Sequence, residues 1–185
     1  VIIVNKLPLD KFKMGYVLAY KSNNSLLHRI IVKKQLDNGL SLEAAQIVHV
    51  EISGGNQHSV NIAPPFARLI DITKKHAGKH VYVLKYKGEG YEEKKRYKIA
   101  YFSAALCANK GYDVPGILSF LYKLIKQSNR LFFCSEGCLM AFQMVYPAAL
   151  ESLKPALCMP GDFLQCDEFE RVWEGYIPGK KQTAL

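Results

Sequence analysis

Between Ile47 and Ala63 the chain alternates with a period of two, and this stretch restricts the fold more than any other. In Ile47-Val48-His49-Val50-Glu51-Ile52 the pattern puts Val48, Val50 and Ile52 on one face of a strand. Ile47, His49 and Glu51 fall on the other. Ser53-Gly54-Gly55-Asn56-Gln57 reads as a hairpin loop, with glycines for backbone of positive φ. His58-Ser59-Val60-Asn61-Ile62-Ala63 is the return strand, stopped by Pro64-Pro65. If Ser53 stands opposite Gln57, then Ile52 faces His58, Val50 faces Val60 and His49 faces Asn61. Directly opposed Cβ atoms lie about 5 Å apart, so that register puts an amide beside the imidazole.

Further strands are expected at Met14–Tyr20, Phe66–Ile72 and His80–Tyr86, the last two continuing the hairpin as an antiparallel meander. Leu26–Val32 fits a short helix or a strand, with helix preferred; further helices are expected in a short segment capped by Ser41 and over Glu92–Ala108. In the last of these, Tyr97, Ala100, Tyr101, Ala104 and Cys107 form the expected buried stripe. Another helix is expected over about Ile117–Lys126. A further one opens at Cys134, with Cys138, Ala141, Phe142 and Val145 on its inner stripe. Gly161-Asp162-Phe163 reads as a turn, and Phe169–Trp173 as a short amphipathic anchor. An antiparallel meander together with several helical segments indicates an α+β class, with an antiparallel sheet or small barrel packed on helices. The reading is one domain over residues 1–185, with a core of about 14–173 and a flexible tail at 174–185.

Composition narrows the function classes. The chain is 49% hydrophobic with 11 Tyr and 9 Phe, which is enough for a real core and excludes disorder throughout. The net charge of +9 is dispersed in short clusters such as Lys94-Lys95-Arg96, more like a solvated face than a nucleic-acid stripe. Five cysteines, an odd number with no tight CxxC pair, do not form a disulfide framework and point to a reducing compartment such as the cytoplasm. No second Cys/His pair completes a zinc set around Cys134 and Cys138, so neither a metal nor another cofactor is expected. No apolar run approaches the ~18 residues a membrane span requires. The start at Val1 leaves room for a removed leader.

The chemistry-bearing stretch is Leu131-Phe132-Phe133-Cys134-Ser135-Glu136-Gly137-Cys138. An apolar run ends in a cysteine where a helix begins. Unpaired N–H groups and the helix dipole there favour an anion, hence a thiolate. The same N–H groups suit a later oxyanion. A free cysteine is also a common packing residue, so the catalytic reading requires a base. His49 is the candidate, on the firmest strand. Asn61 opposite it is preferred as the group that orients the ring, with Glu51, two residues along the same strand, as the competitor. His28, His58, His76 and His80 read as surface residues, and Cys138 as core.

The order of strand histidine, polar residue on the next strand, and Phe-Cys-Ser-Glu opening a late helix resembles the circularly permuted papain-like cysteine hydrolases of the NlpC/P60 superfamily. The YiiX/YebB-like branch is the nearest in pattern. The motif Cys134-Ser135-Glu136 matches the family's C-S-E signature, His49-Val50 its histidine strand, and Asn61 with Ala63 the strand that follows. Relatives often carry an acid where this chain has Asn61. Gly111-Tyr112-Asp113 occupies the place of a site-lining tyrosine, and Met159-Pro160-Gly161-Asp162 resembles the C-terminal pattern. The resemblance implies a thiol hydrolase that cleaves an amide bond in a peptide-like or acyl-amide substrate through a thioester. It implies Cys134 as nucleophile, His49 as base and Asn61 as third member. Tyr112, Ser135 and Glu51 are then candidates for binding or for the oxyanion hole. The alternatives are an inactive papain-like module binding an anionic partner, and an acyltransferase using the same thiol.

Overall fold

The computed structural model describes residues 7–63, 67–107 and 133–178. The candidate Tyr112 and the helix expected over 117–126 lie outside the described residues. Six strands form one sheet: β1 (Val17–Lys21), β2 (Ile47–Gly55), β3 (His58–Asn61), β4 (Arg68–Asp71), β5 (His80–Tyr86) and β6 (Phe169–Tyr176). Their order is β4-β3-β2-β1-β5-β6, with every neighbouring pair antiparallel. The helices are α1 (Leu26–Asp37), α2 (Leu42–Ala45), α3 (Ile72–Lys75), α4 (Glu93–Cys107), α5 (Cys134–Gln143) and α6 (Asp162–Gln165). The protein is therefore α+β. Among the described residues, no helix is long and apolar enough to cross a membrane.

Both faces of the sheet are covered. Alternation along β1 sends Val17 and Ala19 into the cluster shared with α4 and α5. Leu18 and Tyr20 go to a second cluster with Phe12, Ile72, Val81 and Val83. The central strands β1 and β5 therefore read as nearly continuous apolar runs, as strands buried on both faces do.

The hairpin differs from the expected register by two residues. Ile52 pairs with Val60 and Ser53 with Ser59, while a bulge sets Gly55 beside His58. The turn falls at Asn56-Gln57 and takes Gly55 (φ 90°) and Asn56 (φ 54°) into the left-handed region. Extra ladder at the turn end shifts every pair. Since the shift is even, the faces are preserved. Asn61 consequently stands opposite Glu51, not His49.

Other expectations also change. The meander ends at β4, because α3 turns the chain back and β5 pairs with β1 instead. The buried side of α4 is Ile99, Ala100 and Ser103, whereas Tyr97 and Tyr101 are exposed. Of the expected stripe Ala100 is buried, while Tyr97 and Tyr101 face solvent. Residues 169–173 belong to β6, which pairs with β5 as far as Tyr176. Ile177 is buried beyond it, so the ordered chain outlasts the expected boundary at 173. Gly161-Asp162-Phe163 leads into the one-turn helix α6.

Candidate functional site

Cys134 is the first residue of α5, and its position has a local cause. Phe133 at the N-cap has extended backbone (φ −102°, ψ 168°) and no side-chain acceptor for the first turn. The first helical bond runs from Gly137 N to Phe133 O at 3.1 Å. The amides of Cys134, Ser135 and Glu136 therefore have no acceptor within the helix. The backbone N–H groups of Val50 and Ser135 lie near the Cys134 sulfur and favour its charged form. Cys138, one turn later, is fully buried in the core, as its spacing predicts.

His49 lies on β2 opposite Tyr20 of β1. Its side chain is 17% exposed, and its ring lies close enough to the Cys134 thiol for each group to shift the other's titration. The two titrations move in opposite directions. Burial pushes the Cys134 thiol up, but the nearby His49 charge, with the two backbone N–H groups, brings it below the usual cysteine range. Burial pushes the His49 imidazole down, but Cys134 and then Glu51 raise it to about 10. Each charge is the other's main support, so the pair favours thiolate and imidazolium over thiol and imidazole.

Glu51 is the hub beneath this pair. It is fully buried. Oε1 lies 2.9 Å from His49 Nε2 and 2.7 Å from His76 Nε2. The amide nitrogen of Asn61 also donates to Oε1. Oε2 accepts from Ser59 Oγ at 2.5 Å and from Tyr20 Oη at 3.2 Å. Burial would raise this carboxyl, yet the bonds from His49 and His76 hold it well below the usual carboxylate range. A carboxylate with five donors is ionised even in an apolar surrounding.

This arrangement corrects the expected role of Asn61. Its amide nitrogen lies 3.4 Å from both His49 Nε2 and His76 Nε2, and it donates to Glu51. The His49 N–H is taken by Glu51, the stronger acceptor. Asn61 braces the carboxylate, and Glu51 orients the ring. With Nε2 engaged by Glu51, Nδ1 is the ring nitrogen left for the thiol.

His76, read as a surface residue, is 2% exposed. It caps the C-terminus of α3, a helix started by Asp71 accepting from Thr73 N at 2.9 Å. This turn lays the His76 ring 4.3 Å from the Tyr20 ring, centroid to centroid. Lys79 Nζ donates to His76 Nδ1 at 2.9 Å, which fixes the tautomer with the proton on Nε2. Burial, partly offset by Glu51, lowers the His76 pKa, so the ring is a neutral donor. No periodicity marks His76, because α3 is a single turn between β4 and β5. Tyr20 and Ser59 were likewise read as strand residues without a place in the site.

Ser135 is buried, and its hydroxyl donates to Cys158 O at 2.5 Å. Its side chain is tied to the protein frame, and only its backbone faces the sulfur. His49, Glu51 and His76 also form a set whose ligand atoms lie within 4.8 Å of one another. A metal at ~2 Å from each would break the direct 2.7–2.9 Å hydrogen bonds. Lys79 would also place a cation behind one ligand. The set is built as a hydrogen-bonded cluster.

The free cysteines Cys134, Cys138, Cys158 and Cys166 form no disulfide. Burial raises the thiol pKa of both Cys158 and Cys166. Among these described cysteines, Cys134 alone combines a lowered pKa, a basic neighbour and a helix start. No protein-family profile matches the chain, and no curated protein sequence is recognisably similar to it.

Proposed function

We propose that this protein is a cysteine hydrolase of the permuted papain-like type that cleaves an amide bond through a thioester. The observation that carries this reading is the placement of Cys134 as the first residue of α5 beside His49, whose Nε2 is in turn held 2.9 Å from the buried Glu51 carboxylate. A thiolate at a helix N-terminus, with an oriented imidazolium beside it, is the arrangement nucleophilic thiol catalysis requires.

In this mechanism the Cys134 sulfur attacks the substrate carbonyl carbon. The resulting oxyanion is held by the Cys134 backbone N–H at the start of α5. The His49 imidazolium gives its proton to the leaving nitrogen, the C–N bond breaks and an amine departs. Neutral His49 then takes a proton from water, whose oxygen attacks the thioester. The carboxylic acid leaves, and thiolate and imidazolium are restored. Glu51 stays ionised throughout and stabilises the imidazolium, a role Asn61 alone lacks the charge to fill. Asn61, Ser59, Tyr20 and His76 hold the carboxylate in place.

The test is incubation with an activated acyl amide followed by intact-mass measurement after acid quench. The expected result is an acyl adduct on Cys134 that forms in the wild type and is lost in Cys134→Ser. Absence of any adduct across a panel of acyl groups, together with ordinary thiol reactivity at Cys134, would refute the reading.

A further inference from the structure

Against the outer side of the His49 ring lies a cavity of about 180 Å³. Its lining includes Lys21, His28, His49, Lys75, His76 and Lys79, and no acidic side chain among the described residues. These cations converge from three elements: Lys21 ends β1, Lys75 ends α3, and Lys79 precedes β5. Neighbouring Lys74 pairs with Asp71 at 3.7 Å, whereas Lys21 and Lys75 have no carboxylate within ion-pair distance among the described residues. The crowding registers in the groups themselves. Burial and then Lys75 push the Lys79 ammonium down, with Glu51 opposing. Burial, Lys79 and His49 push the His28 imidazole down. Glu51, which His49, His76 and Asn61 of the lining contact, is already engaged by five donors. The cavity is thus a concentration of positive charge, with Asn23 and His28 also on its lining and no anion of the protein's own among the described residues to fill it.

We infer that this cavity binds an anionic group, a carboxylate or phosphate, carried by the substrate. His49 touches both the cavity and the thiol, so an anion seated there lies one imidazole away from the reacting sulfur. Its contacts would be the ammonium groups of Lys21 and Lys75, with Asn23 also on the lining. Charge-assisted hydrogen bonds to such a group are the strong kind. They would select acyl donors bearing a negative charge near the scissile bond over neutral ones. The assignment to substrate rests on the hydrolase reading above; anion binding itself does not.

The two are separated by measuring binding in the Cys134→Ser protein, which cannot turn over. Imidazole NMR signals of His28 and His76 are followed during titration with inorganic phosphate and, separately, with succinate, at constant ionic strength. The expected result is a saturable shift with at least one of these anions and none with neutral succinamide. Saturation by phosphate alone assigns a phosphate, and by succinate alone a carboxylate. Each of Lys21→Ala and Lys75→Ala should weaken binding about threefold to fivefold, the effect of losing one partly solvated ionic contact. Lys98→Ala, on α4 away from the cavity, should leave it unchanged. Equal shifts with succinamide, no saturation with either anion, or undiminished affinity in the Lys21→Ala/Lys75→Ala double variant would overturn the inference while leaving the acyl-adduct result standing. Anion binding without any acyl adduct would keep the site and remove its assignment to substrate.

Discussion

Glu51 Oε1 lies 2.9 Å from His49 Nε2, although the two residues are next-but-one neighbours on the same strand. Residues i and i+2 of a strand project side by side from one face. A carboxylate so placed reaches an imidazole only if it is turned along the strand and held there. The bonds from Ser59, Asn61 and His76, contributed by β3 and by the turn after α3, supply that restraint.

Cys134 should react with iodoacetamide faster than Cys138, Cys158 or Cys166 at neutral pH, as peptide mapping after brief labelling will show. Its thiolate is favoured by His49, so its alkylation rate should persist well below the ordinary cysteine pKa of ~8.5. In His49→Ala that advantage is lost, and the rate should rise only as pH climbs toward and past that value.

Glu51→Gln removes a buried charge and replaces one of its two acceptor oxygens with an NH2 donor, so part of the five-donor set loses its acceptor. A loss of about 3 kcal/mol or more in unfolding free energy is expected at pH 7, read by urea titration. The carboxyl's folded pKa is depressed, so its stabilisation is complete above the unfolded value of ~4.3. It is lost as pH falls through the folded value, so the gap between wild type and variant should narrow in acid. Asn61→Ala removes one donor to the same carboxylate and should cost less stability and less Cys134 reactivity than Glu51→Gln.

His76→Leu should destabilise more than His76→Gln. Leucine takes a donor from Glu51 and leaves Lys79 Nζ without its acceptor, whereas the glutamine amide can replace one bond. An unsatisfied buried group costs about 1–3 kcal/mol. Thermal unfolding of the two variants measures the difference.

Ser135→Ala should cost about 1 kcal/mol through the lost bond to Cys158 O. The rate of Cys134 alkylation should be unchanged, because the sulfur is held by the Ser135 backbone and not by its hydroxyl. A large fall in that rate would give the hydroxyl a direct part in the site.

Alternation alone determined that His49 and Glu51 share one face of β2, and that Asn61 and Ser59 share the matching face of β3. Any even register shift preserves those assignments, and the shift that occurs is two residues. The junction at Phe133-Cys134 likewise placed a cysteine at a helix start, because an apolar run gave way to small and acidic residues followed by helical spacing. The α+β class followed from an antiparallel run of strands accompanied by helical segments. Which polar group receives the His49 proton was decided by tertiary structure, since it depends on the position of the bulge at Gly55. The burial of His76 was decided there too. Its own turn carries no periodic signal, and it reaches Glu51 only because β1 lies between β2 and β5 and presents Tyr20 as the floor on which the ring rests. Period-two and helical patterns report which way a side chain points from its own element. They do not report which distant element arrives beside it, and the charge on Glu51 and the cations around His49 are set by those arrivals.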